Sequence, residues 1–208
     1  MDTIIFLGYE ILSAIIPFML IFLIFRTTQK RKGISFSQHY FIATLVLYIY
    51  IIGVYHFTGA GTIYDWLRYG LELNKNQINF IPFSHNIDIV GYLLNIVLFI
   101  PLGLLTPIIW ERMNNLKNII GIGFFFTFLI EISQLLNNRS TDVDDILLNT
   151  LGAILGFSFF KLWNQFTKSK FQINHSVTME LPVYIIIIYI GRFLFFNEIG
   201  LAKLLYRF

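Results

Sequence analysis

Two polar stripes inside apolar sequence are the first residues able to do chemistry. Written on a helix, Thr127, Glu131, Gln134 and Asn138 fall at spacings of four, three and four, so they share one face. Asp142, Asp145, Asn149, Gly152 and Gly156 repeat that pattern on the next segment, at three, four, three and four. Arg139 sits in the few residues between the stripes. A guanidinium can bind two carboxylates, or a carboxylate and a phosphate, so the set could hold a polar head group. Glu131, Asp142 and Asp145 also offer the hard oxygen ligands that divalent cations take. One carboxylate surrounded by lipid could then act as general acid or base. The plainer alternative is a network that only fixes helix packing; in membranes such bonds average below about 1 kcal/mol. Ser133, Ser140 and Ser158 have no nearby histidine, and no phosphate-loop, dinucleotide or zinc-protease motif occurs.

The elements that must position these residues are membrane-spanning helices. Of 208 residues, 56% are hydrophobic and 13% charged, against about 25% charged in a soluble domain. There are 23 Phe and 11 Tyr, more bulk than a core of this length can hide, and no cysteine for a disulfide or a thiolate metal site. Basic residues come in short clusters between apolar runs, which gives no nucleic-acid face. A spanning helix needs roughly 20 mostly apolar residues. Six segments qualify: Ile4–Phe25, His39–Thr58, Ile89–Trp110, Asn118–Leu136, Val143–Trp163 and Leu181–Asn197. The expected fold class is all-α, a polytopic membrane helical bundle of about six transmembrane helices in one domain over residues 1–208. The N-terminal segment has no basic n-region and carries Asp2 and Glu10, so it reads as a retained span and not a cleaved signal.

Lys and Arg set the expected orientation. The loops after the first, third and fifth spans hold nine: Arg26, Lys30, Arg31 and Lys32, then Arg112 and Lys117, then Lys161, Lys168 and Lys170. The other side has Arg68, Lys75 and Arg139 in its loops and Lys203 and Arg207 in the tail. The positive-inside rule then puts both termini outside, together with the turn at 137–142. The loop between the second and third spans also faces out. Its "TIYDWLRYGLEL" fits a short interfacial helix, and Pro82 forces its "NFIPFSHNID" out of a continuous helix into an ordered cap or re-entrant piece. Within that loop Asn79 and His85 lie close in sequence to Asn86 and Asp88. His85 could donate to a phosphate or join Asp142 or Glu131 on a metal; His39, His56 and His175 read as interfacial. In the third span Asn95 lies in the outer half, Pro101 favours a kink and Gly103 eases packing.

In order along the chain, "NFIPF", "NIVLFIPLG", "IEISQLL" and "NRSTDVDDILLNTLGAILG" resemble the VanZ-like family, over about residues 79–160. The matching positions are Asn79, Pro82, Phe83, Asn95, Phe99, Pro101, Gly103, Glu131, Gln134, Arg139, Asp142, Asp145, Asn149, Gly152 and Gly156. The resemblance implies a multi-pass bacterial cytoplasmic-membrane protein whose namesake is linked to low-level teicoplanin resistance. It implies no reaction and no cofactor. Three readings follow for a candidate pocket of Asn79, His85, Asn95, Glu131, Gln134, Arg139, Asp142, Asp145 and Asn149. In the first it binds a lipid-linked peptidoglycan precursor, or the lipoglycopeptide itself, at the outer leaflet. In the second a metal-dependent enzyme acts there on a lipid or lipid-linked phosphate. In the third the network is structural or partner-binding. Membrane lipids are partners in all three.

Overall fold

The computed structural model describes residues 2–33, 37–70, 77–84, 88–137, 139–167, 173 and 180–197. Its helices are α1 (Asp2–Arg31), α2 (Gln38–Thr58), α3 (Ile63–Tyr69), α4 (Ile89–Ile109), α5 (Leu116–Gln134), α6 (Val143–Thr167) and α7 (Glu180–Phe195), with two-residue strands β1 (Ile78–Asn79) and β2 (Thr141–Asp142). The all-α bundle expected from composition is thus present. Among the described residues, five long helical segments are apolar enough to cross a membrane: Ile4–Arg31, Gln38–Arg68, Ile89–Ile109, Leu116–Asn137 and Val143–Thr167. The sixth, α7, has 16 residues, about 24 Å at 1.5 Å per residue, short of the roughly 20 residues of a full span.

Local chemistry sets where helices start and stop. Ser37 caps α2 by accepting the Tyr40 N–H at 3.1 Å, and Gly59 ends it in the left-handed region at φ 63°. Asp88 caps α4, Asn115 caps α5, and Asp142 caps α6 by accepting the Asp144 N–H at 3.0 Å, as its sequence position suggests. The short helix α3 falls inside the predicted interfacial stretch, with a Thr62–Asp65 capping box and with Trp66 and Leu67 exposed.

The bundle has two seams. α4 and α6 run parallel at backbone contact. A Cβ at Gly103 would lie 1.8 Å from the Ala153 carbonyl oxygen, one at Gly152 2.2 Å from that of Ile96, and one at Gly156 2.0 Å from that of Ile100. Only glycine permits this approach, the usual use of small residues between membrane helices. The acidic-and-glycine stripe of α6 therefore divides: its glycines meet α4, and Asn149 meets α5 through Thr127 Oγ1 at 2.9 Å. α1 and α7 form the second seam and run antiparallel. Gly191 packs on Ala14 and Pro17, and the Tyr184 ring lies 5.4 Å from Phe18 and 5.6 Å from Phe25. Outward-facing side chains such as Leu93, Phe124, Phe128, Leu151 and Leu155 are apolar and exposed, as a lipid boundary requires.

Polar residues gather at the ends of the bundle. At one end Glu180 is fully buried and accepts from Gln29 Nε2, from Tyr40 OH and, at 3.1 Å, from Trp110 Nε1. The other end brings together the start of α1, the ends of α2, α5 and α7, and the starts of α4 and α6, so both described chain ends share it. There Glu10, 1% exposed, accepts from Arg192 Nε at 2.5 Å on one oxygen and meets His56 Nδ1 at 2.6 Å on the other. Arg192 also donates to the Ala60 carbonyl.

Candidate functional site

The site is built on the α5–α6 turn. After Gln134 the chain makes a single 3-10 turn over Leu135–Asn137 and folds back through β2. Glu131 pins the returning strand twice: its carbonyl accepts Thr141 Oγ1 at 2.9 Å, and its carboxylate accepts the Asp142 N–H at 3.1 Å. β2 pairs in parallel with β1, Ile78 beside Thr141 and Asn79 beside Asp142. Asn79 Nδ2 donates to both Asp142 oxygens at 3.2 Å, while Asn79 Oδ1 accepts the Ile81 N–H and Ser84 Oγ at 3.1 Å each. The "NFIPF" segment is therefore an ordered cap, with Phe80 and Ile81 exposed.

A residue outside the predicted stripes holds the cap down. Asp144 is 2% exposed; it accepts the Phe83 N–H at 2.9 Å and the Tyr92 hydroxyl at 2.6 Å. Phe83 sits at φ 56°, a backbone state rare for a side chain of its size, and its ring packs edge-on to Tyr92 at 5.9 Å. At the first turn of α6 the Asp144 charge gains from the helix dipole, a reading available from sequence; its role as a loop clamp was not.

Between α2, α4, α5 and α6 lies a cavity of about 440 Å³. Six of the nine predicted site residues line it: Asn95, Glu131, Gln134, Arg139, Asp145 and Asn149. Its walls are apolar, from Phe57, Leu94, Val97 and Leu98. Asn79 and Asp142 are not among the lining residues; they join cap to turn. His85 falls outside the described residues. Glu131 is 1% exposed and Asn149 2%, so both are held within protein. Asn95 Nδ2 donates to Asp145 Oδ1, linking α4 to α6 across the floor. Asn149 Oδ1 is buried without a hydrogen-bond partner.

Arg139 faces the Glu131 and Asp145 carboxylates as a counter-charge through space and does not contact them. Among the described residues it makes no ion pair; Nη1 donates to the Thr58 carbonyl at 2.8 Å. The C-terminal carbonyls of α2 attract it because they carry the negative end of the helix dipole. Gln134 Nε2 donates to the same carbonyl at 2.8 Å, and Asn137 Nδ2 donates to that of Gly59 at 2.9 Å. Arg139 thus lines the cavity from its rim while tying α2 to the turn.

The metal-site reading gains no geometric support. No group of three or more His, Asp or Glu side chains among the described residues is placed to hold an ion. Sequence reasoning also missed the Glu10–His56–Arg192 cluster, although a glutamate and an arginine inside apolar segments were a legible signal.

The family described as VanZ/LLP1 matches residues 14–164. The match is wider than the stretch at 79–160 that carries the motifs, and it takes in α2 and most of α1. No curated protein and no solved structure matches the chain.

Proposed function

The chain belongs to the VanZ/LLP1 family, and from that premise we propose that it modulates susceptibility to glycopeptide antibiotics of the teicoplanin type. It does so by binding, at the outer leaflet, a molecule that joins a hydrocarbon tail to a polar head: a lipid-linked cell-wall precursor or the lipoglycopeptide itself. The observation that carries this reading is the amphipathic cavity, whose apolar walls meet a floor where the buried Asn149 Oδ1 lacks a partner. An unpaired buried acceptor costs free energy that a ligand donor recovers. Glu131 and Asp145 orient hydroxyl and amide donors of the head group, and Arg139 meets its anionic part at the rim. The outward placement is supported by the helix ends remote from the cavity, which carry Arg26, Lys30, Arg31, Arg112 and Lys117.

The test is susceptibility of a bacterial host with and without the chain. Expression should shift the teicoplanin response more than the vancomycin response. Asn149→Leu and Glu131→Gln, at equal membrane abundance, should remove the shift. Equal shifts for the two drugs, or none, would sink the reading. Binding of purified protein to lipid-linked precursor and to teicoplanin, measured separately, identifies the ligand. If Glu131→Gln only lowers thermal stability in detergent and leaves susceptibility unchanged, the network is structural.

A further inference from the structure

At the end of the bundle remote from the first cavity lies a groove of about 470 Å³, walled by the 3-10 turn Glu111–Met113, the first half of α5 and the start of α7. Its polarity is ordered along α5. Lys117, Gly121 and Phe125 recur at every fourth residue, so they share one face. That face passes from a cation to an aromatic ring over about 12 Å, at 1.5 Å per residue. Gly121 keeps its middle open, since a Cβ there meets nothing within 4 Å. Ile122 and, from α7, Pro182 complete the apolar part.

Arg112 and Lys117 line the polar end of the groove, and both are exposed. Neither charge depends on a neighbour, because guanidinium and ammonium stay protonated near neutral pH. Among the described residues neither side chain makes an ion pair. Asn118 Nδ2 donates to the Arg112 carbonyl at 2.8 Å, which ties the turn carrying Arg112 to the helix carrying Lys117. No carboxylate is among the described residues that line the groove. Two carboxylates are near in sequence. Glu111 precedes Arg112 and does not line the groove. Glu180, two residues before Pro182, is fully buried and accepts from Gln29, Tyr40 and Trp110.

We propose that this groove binds an anionic phospholipid, its phosphate meeting Arg112 and Lys117 and one acyl chain lying along α5 from Gly121 to Phe125. Cations at the helix end with apolar surface a few turns further in match the order of head and chain in a lipid beside a spanning helix. Basic pockets between such helices suit anionic head groups. Charge selects among them. The ammonium of a zwitterionic head would meet two cations and no carboxylate, whereas a head whose only charge is its phosphate gains from both cations. The groove shares no lining residue with the cavity proposed to act on glycopeptide response, and the proposal does not depend on that reading.

The full chain, purified in detergent and transferred to nanodiscs of phosphatidylcholine with or without phosphatidylglycerol, is released for native mass spectrometry. Phosphatidylglycerol should be retained on the protein in preference to phosphatidylcholine. Arg112→Gln combined with Lys117→Gln should lower that preference about thirtyfold, the effect of two cations at a lipid surface. Gly121→Leu fills open space with a better helix former, so the fold survives, and should abolish phosphatidylglycerol retention. Lys161→Gln removes a cation of α6 that is outside the groove and packs over the Phe157 ring; it should leave the preference unchanged. Equal retention of the two lipids, an unchanged preference in the double glutamine variant or in Gly121→Leu, or an equal loss from Lys161→Gln would overturn the proposal.

Discussion

Gly152→Ala tests the seam on which the site depends. An added methyl would lie 2.2 Å from the Ile96 carbonyl oxygen and 3.0 Å from Phe99 Cβ. Ordinary contact starts near 3.4 Å, so α4 and α6 must part by about 1.2 Å. The nearest atom belongs to the main chain of a helix and cannot rotate away. Overpacking of this kind costs about 1–3 kcal/mol, and dispersion lost along the rest of the seam brings the cost to roughly 2–4 kcal/mol. The helix propensity of alanine returns about 0.5–1 kcal/mol. The net destabilisation is about 2 kcal/mol. Gly121→Ala is the control, since a Cβ there meets nothing within 4 Å; it should stabilise by about 0.5–1 kcal/mol. The two variants should therefore differ by about 3 kcal/mol in reversible unfolding from mixed micelles followed by circular dichroism. Asn95 adjoins Ile96, so the same separation breaks its bond to Asp145 and should weaken ligand binding in the cavity that both residues line. If Gly152→Ala proves as stable as Gly121→Ala, the backbone-contact account of the seam is wrong.

Two further outcomes follow from side chains the structure brought to light. Asp144→Ala should release the cap, seen as faster limited proteolysis within residues 77–84, with Asp144→Asn intermediate because one acceptor survives; unchanged cleavage in both would remove Asp144 as a clamp. Arg192→Met should cost about 3–5 kcal/mol by leaving the Glu10 carboxylate buried without its guanidinium, and adding Glu10→Leu should recover most of that loss. A penalty under about 1 kcal/mol for Arg192→Met would mean that the cluster contributes little to folding.

The helices were legible because apolar runs of membrane length leave few alternatives, and the stripes were legible because helical spacing is rigid. Glu131, Gln134, Asp145 and Asn149 could be placed together on that basis, and the cavity gathers them with Asn95 of α4 and with Arg139 at the rim. What spacing cannot supply is the partner. Gly152 and Gly156 announce a close approach without naming α4 as the helix that makes it. The pairing of β1 with β2 involves two residues on each strand, too few for any periodicity to register. Asp144 was invisible as a clamp because one of its donors is a main-chain N–H, which carries no sequence signal. Arg139 was matched to carboxylates by charge, whereas the carbonyls at the end of α2 compete for it through the dipole.

The seam between α1 and α7 bears on how the chain is made. Glu10 and Arg192 are 182 residues apart, so the carboxylate enters the membrane with the first helix and meets its guanidinium only when the last has been synthesised. Over that interval His56 is the earliest side chain of the cluster able to hold it. A chain interrupted before α7 would leave the Glu10 carboxylate without its guanidinium, with His56 as its remaining partner in the cluster.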